Sequence, residues 1–361
     1  MAFPVSVIQT TVEPGEADAN RRHVLELIAA AVSKGARLIV FPEACISDIY
    51  RGAEKLAESI PGPSTDAVAA AAADAVVALP LLERAGDGGV YSSCAFVARD
   101  GIKGVARKCH LYRDASGHDS FRDEEVMQAG RELSIVDLGE ARAGVLIGFD
   151  AEFPEAFRTL ALRGADFILA VLNQIGPDLA YLGAMAARNR VPLLAANRIG
   201  FRRVYPGVPE FSAMAMPLVQ DKDGSFLARC RGASVICDAG GHVLAEPSHA
   251  VQRDLERLAG APQAALIPLA HFQQDEILSA SFRIDEIRVQ RLTSPYLAQR
   301  RPELYSGIAP STAMPGTPAA AMPPAPVLES APPAPDVVRS KPSAKAKPKS
   351  NAKAPRKRKT E

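Results

Sequence analysis

The chain has 361 residues, 47% apolar and 23% charged, enough to bury one large core or two ordinary ones. Its net charge of +1 conceals two unlike parts: residues 339–361 hold ten Lys/Arg and one acid, which leaves 32 basic against 40 acidic residues over 1–338 from totals of 42 and 41. Five cysteines without a CxxC pair argue against a disulfide framework, and residues 1–8 lack the pattern of a secretory leader, so reduced thiols and a cytoplasmic location are expected.

In chain order, Val5–Gln9 is a β-branched run that predicts a strand. Asn20–Lys34 follows, with Val24, Leu25, Ile28, Ala29 and Val32 at helical spacing and Gly35 to close it. Arg37–Phe41 is a nearly continuous apolar strand stopped by Pro42. Strand–helix–strand of this kind predicts a layered α/β fold. The Ala67–Leu82 window is mostly alanine, broken by Asp74 and Pro80, and makes a poor membrane span. Val90–Val97, Gly144–Ile147, Ala165–Leu172, Pro192–Arg198 and Ala233–Cys237 predict further strands, with helices over Phe157–Arg163 and Leu179–Arg190 between them. Residues 309–338 carry nine prolines and no aromatic residue, the composition of a disordered spacer; the basic residues 339–361 continue it as a disordered tail.

Three short motifs carry the chemistry. Phe41-Pro42-Glu43 places a carboxylate directly after a buried strand. Arg107-Lys108-Cys109-His110-Leu111 supplies a cation, and Gly144–Glu155 reads as a strand running into a tight turn and a helix start. Taken singly, Glu43 also suits a loop cap and Lys108 a solvated strand lysine. Together the motifs resemble the nitrilase superfamily of carbon–nitrogen hydrolases over about residues 4–308. Further support comes from Gly164-Ala165-Asp166, Ala196-Asn197-Arg198-Ile199-Gly200, Gly232–Ile236 and Arg300–Tyr305.

The resemblance implies one four-layer α-β-β-α sandwich domain over 1–308 and homo-oligomers that pack through a helical face. It also implies Glu43 as general base and Lys108 as the cation that holds an oxyanion. The second carboxylate falls at Asp123, one methylene shorter than the usual glutamate, with Glu124 its neighbour. The turn should carry the catalytic cysteine, and position 148 is glycine, which offers no attacking atom but relieves backbone strain. Arg188 stands where the family has a carboxylate. Cys109 and Cys45 are the substitute nucleophiles to weigh, against their reading as packed hydrophobes.

The histidines form no ligand spacing and no Gly-rich phosphate loop follows a strand, so no metal or nucleotide cofactor is expected. The first functional expectation is a catalytically impaired member of the superfamily that binds a small amide, nitrile or carboxylate-like ligand, or a partner. The alternatives are a working amidase, nitrilase or carbamoylase with another nucleophile, and an oligomeric scaffold tethered to a polyanion. Residues 339–361 suit non-specific nucleic acid or another polyanion, or serve as a solubilising tail; no membrane partner is expected.

Overall fold

The computed structural model describes residues 2–113, 122–174, 177–204, 219–220, 226–248 and 274–305. The chain divides into two units, Met1–Arg300 and Arg301–Glu361. In the second, the described residues form one 3-10 turn, Pro302–Tyr305. The expected spacer and tail lie outside the described residues.

The expected strand–helix–strand start is present as β1 (Ala2–Gln9), α1 (Ala17–Ser33) and β2 (Leu38–Val40). β1 and β2 pair in parallel, with Val5 opposite Leu38 and Val7 opposite Val40. Gly35, at φ +79°, supplies the left-handed residue that lets the chain leave α1. The alanine-rich window divides into the end of α2 (Pro63–Ala71) and most of β3 (Val76–Arg84), which runs parallel to β2. Sequence reading gave this stretch no strand, and Pro80 sits in the middle of β3. The proline is tolerated because β2 pairs only as far as Ala78, so no ladder partner waits for the missing N–H on that side. Its carbonyl there accepts the Cys45 N–H at 3.1 Å instead.

β4 (Val90–Ala98) and β5 (Gly101–Arg107) fold back antiparallel. With β15 (Glu276–Arg283) antiparallel on the far side of β1, they complete a six-stranded sheet in the order β15-β1-β2-β3-β4-β5. A second six-stranded sheet contains β6 (Ile135–Asp137), β7 (Arg142–Ile147), β8 (Phe167–Val171), β9 (Leu193–Ala196), β13 (Val235–Cys237) and β14 (Val243–Ala245), in the order β14-β13-β9-β8-β7-β6. Its parallel strands β7, β8 and β9 are joined through α3 (Pro154–Leu162) and α4 (Leu179–Asn189). α3 begins at Pro154, three residues before the apolar spacing suggests, because proline fits a first helical turn that needs no N–H partner. A smaller sheet holds β10 (Ile199–Val204), β12 (Phe226–Arg231) and β11 (Val219–Gln220).

The apolar runs are continuous because each sheet is covered on both faces. Leu38 and Val40 of β2 join Val145, Ile147, Phe167, Leu169, Leu194 and Ile236 in the core between the sheets. Ile39 turns the other way, onto Val24, Ile28 and Val68 of α1 and α2. In the second sheet Leu146, Ile168 and Leu193 meet Phe157, Leu160 and Leu182 of α3 and α4. Helix, sheet, sheet, helix: the layers are those of the four-layer sandwich.

The two ends of the inter-sheet core differ. At one end Phe167 contacts Phe3 and Phe282 at ring distances of 5.5 and 5.6 Å. At the other, polar bonds cross between the sheets. The Ser234 N–H donates to Gln9 Oε1 at 3.1 Å, and Arg198, just past β9, donates to the Val12 carbonyl. No helix among the described residues is long and apolar enough to cross a membrane.

A clasp joins α1 to the start of β15. His23 Nε2 lies 2.9 Å from Asp275 Oδ2, with Glu26 3.6 Å from the other ring nitrogen. The Asp275 carboxylate beside it raises the His23 pKa. Asp275 is lowered, burial being outweighed by His23 and the Thr10 hydroxyl. The His23 contribution is present below its unfolded pKa near 6.5 and is lost as pH rises through the higher folded value; the Asp275 contribution is lost in acid. His23→Gln should therefore lower stability by about 0.5 kcal/mol at pH 5.5, as expected for a partly exposed pair, and by less at pH 8.5. Urea midpoints at the two pH values measure the difference.

Candidate active site

β2 ends at Val40, and the chain then leans across to the second sheet, where the Glu43 N–H donates to the Leu172 carbonyl just past β8 at 3.0 Å. This bond fixes the backbone from which the Glu43 side chain turns inward. Lys108 directly follows β5 and extends the ladder by one residue, its N–H donating to the Ser92 carbonyl at 2.9 Å. Asp123 opens a short 3-10 turn, Asp123–Glu125.

These three side chains meet. Lys108 Nζ lies 3.1 Å from Glu43 Oε1 and 2.7 Å from Asp123 Oδ2. The Ser92 hydroxyl donates to Glu43 Oε1 at 3.0 Å, and the Tyr112 N–H donates to Asp123 Oδ2 at 2.9 Å. All three charged groups are at most 5% exposed. Glu124, the neighbour of Asp123, is exposed and pairs outward with Arg113. Burial raises the Glu43 pKa and Asp123 adds to the rise, with Lys108 and Ser92 opposing. Burial works against the Lys108 charge too, but Asp123 and Glu43 outweigh it and the ammonium holds its proton more tightly than a free lysine. The group is a buried ammonium between two carboxylates.

Gly148 sits at the end of β7, opening the turn Gly148–Glu152 at φ +51°, a left-handed conformation that side-chain-bearing residues rarely adopt. A Cβ built there would lie 2.3 Å from Glu43 Oε2 and 2.9 Å from Cδ. The Glu43 carboxylate fills the space of a first side-chain carbon. The structure thus brings Glu43, Lys108 and Asp123 into one ion cluster and sets Gly148 against it. Chemically, the cluster can hold or hand over a proton at Glu43 and present a fixed positive charge, but position 148 itself contributes only backbone.

Asp150 falls inside the Gly144–Glu155 motif, where sequence reasoning gave it no role. It is a buried clamp. Its Oδ1 accepts from the His110 N–H at 2.7 Å, lies 2.7 Å from His110 Nδ1, and accepts from the Cys109 N–H at 3.1 Å; Oδ2 accepts from the Ile147 N–H at 3.1 Å. The His110 ring stacks on Phe153 at 4.0 Å. Asp150 therefore locks the residues after Lys108 onto the elbow that holds Gly148.

Behind the Glu43 loop lies a second set of residues that sequence reasoning missed. Asp48 and Arg198, both fully buried, pair at 2.7 Å, and Asn173 Nδ2 donates to Asp48 Oδ1 at 3.1 Å. Ala44 and Asp48 hold φ of +51° and +62°, so the loop carries strain that this packing maintains. The available signal was Arg198 inside an otherwise apolar strand end.

The other candidates stand apart from an activated thiol. Cys45 is buried, its thiol donates to the Pro80 carbonyl at 3.2 Å, and burial raises its pKa well above the usual range. Cys109 is half-buried and pushed up to about 11 by burial and the nearby Asp150 and Glu132. Arg188, in place of the expected carboxylate, lies over the Tyr296 ring at 6.0 Å. Among the described residues no group of three His, Cys, Asp or Glu is placed to hold a metal ion; His118, His249 and His271 lie outside them.

The carbon-nitrogen hydrolase family model matches residues 4–254. The chain is 31% identical to a nitrilase of Pyrococcus abyssi over 210 residues, covering 55% of this chain and 76% of that protein. It is 28% identical to a citrullinase of Francisella tularensis over 325 residues, covering 84% of this chain and 97% of that one. Among solved structures it is similar in fold to a mutant amidase from Nesterenkonia sp. AN1, whose active-site cysteine carries the acetamide moiety of fluoroacetamide. That similarity has a TM-score of 0.60 at 17% identity and covers 84% of this chain and 96% of the amidase.

Replacing Lys108 with methionine leaves Glu43 and Asp123 buried without a counter-ion. The expected loss is about 3–5 kcal/mol at neutral pH, the range for breaking one side of a buried pair. Without the ammonium the Glu43 carboxyl, already raised by burial, is pushed further up, so part of the lost stability returns as pH falls and it protonates. Denaturant midpoints of Lys108→Met and the parent at pH 5 and pH 8 should show the larger gap at pH 8.

Proposed function

Because the chain belongs to the carbon–nitrogen hydrolase family, we propose that it is a catalytically impaired member that binds a small amide, nitrile or carboxylate-like ligand. The reading rests on one observation: Gly148 occupies the elbow, and the Glu43 carboxylate stands where a side chain would begin. Glycine cannot form an acyl-enzyme, and groups that act as a unit lose most of their rate when one is removed. A ligand retained by the Glu43–Lys108–Asp123 cluster is consistent with the small C–N compounds in the names of the relatives, a nitrilase and a citrullinase.

The alternative, turnover through another nucleophile, has one observation in its favour. The Ser92 hydroxyl donates to Glu43 at 3.0 Å, the contact a base makes with its nucleophile. Ser92 is fully buried in β4, however, so a substrate carbon cannot approach its oxygen without opening the sheet. The thiols of Cys45 and Cys109 both have raised pKa values, the opposite of activation.

Purified protein is expected to release no ammonia above background from a panel of amides, nitriles and carbamoyl compounds. Turnover that disappears in Ser92→Ala or Cys109→Ala would overturn the impaired reading and promote the alternative.

Gly148→Cys tests the site assignment itself. The new side chain must push Glu43 aside and take a strained backbone, at a cost of about 1–3 kcal/mol. Lys108 beside it and the turn amides favour a thiolate. Alkylation by iodoacetamide at pH 7.5, read by peptide mapping, should label position 148 about tenfold faster than Cys109. Equal rates would mean that the cluster does not activate a thiol at this position.

A further inference from the structure

The family reading leaves residues 339–361 unused, and the charge balance of the chain isolates them. They carry Lys341, Lys345, Lys347, Lys349, Lys353, Lys357 and Lys359 with Arg339, Arg356 and Arg358, against Glu361 alone. The preceding 338 residues hold eight more acids than bases, so the positive charge of the chain is concentrated at one end. In the described part, many surface arginines are already matched: Arg37 with Glu140, Arg51 with Glu125, Arg288 with Asp166. A polyanion approaching the globular part meets net repulsion, and one approaching residues 339–361 meets attraction.

The composition also narrows the partner. Residues 339–361 contain no aromatic residue, and no apolar side chain larger than alanine apart from the proline rings. Stacking on unpaired bases requires aromatic faces, and insertion into a lipid interface requires large apolar side chains. Neither is present. What remains is a string of cations, four of them consecutive at 356–359 and the other six spaced by Ala, Ser, Pro and Asn, suited to a line of phosphates. We propose that residues 339–361 bind double-stranded nucleic acid through its phosphates, without sequence preference, and so hold the globular domain near it. The proposal is independent of whether Gly148 abolishes catalysis.

The test is fluorescence anisotropy of a random-sequence 25-base-pair DNA duplex titrated with the full chain at several salt concentrations. Engagement of about six phosphates gives a log–log salt slope near −5, at about −0.9 per phosphate neutralised. In the full-length variant Arg356→Gln, Lys357→Gln, Arg358→Gln, Lys359→Gln, the slope should flatten by up to about 3.6 and affinity at low salt should fall. An unrelated duplex of equal length should bind with the same affinity. Equal binding by parent and variant would overturn the proposal by moving the contact elsewhere. So would absence of DNA binding at low salt, or binding to phosphatidylserine vesicles without binding to DNA.

Discussion

One buried ammonium organises this molecule. Lys108, at the end of β5, lies between Glu43 and Asp123, which reach it from the loop after β2 and from the turn at residues 123–125. Three charges removed from water are costly unless their geometry closes, and here it closes with the help of the Ser92 hydroxyl and the Tyr112 amide. The surrounding backbone is arranged accordingly. Glu43 is tied to Leu172, Lys108 to Ser92, and the residues that follow Lys108 to Asp150. Burial and the neighbouring Asp123 together raise the Glu43 pKa against the pull of Lys108 and Ser92.

Much of this was legible in the sequence, and the reasons differ by element. The strands of the two inner layers are short apolar runs bounded by Gly or Pro, and burial on both faces makes such runs continuous; Leu38–Val40 and Phe167–Val171 are examples. β15 was missed because its alternating polar and apolar residues carry a weak signal, and its partner β1 lies at the other end of the chain. Glu43, Lys108 and Gly148 were readable because each lies at a strand end inside a short motif. Asp123 was reached only through the family resemblance. Its shorter side chain still contacts Lys108, since the turn places its backbone close, with the Asp123 N–H donating to the Tyr112 carbonyl at 3.1 Å.

Asp150 and the Asp48–Arg198 pair were not legible in their roles. Their partners are separated by 40 and 150 positions respectively, and nothing local distinguishes a clamp from an ordinary turn acid. An arginine at the end of an apolar strand reads as a solvated terminus until the fold shows it fully buried. Long-range polar pairing is set by topology, and one sequence contains little of that information.

The unlike ends of the inter-sheet core have a consequence for how the sequence can drift. At the Phe3–Phe167–Phe282 end the sheets meet through aromatic contact, which has broad energy minima and accepts substitutions of similar volume. At the other end they are joined by Gln9 to Ser234, by Glu43 to Leu172 and by Arg198 to Val12, bonds that tolerate only small displacement. The sandwich therefore behaves like a bound book, with a polar spine that fixes the alignment of its two halves and an outer edge that can be re-cut. Variation among descendants of this chain should accumulate at the aromatic edge, while the spine changes only by paired replacement.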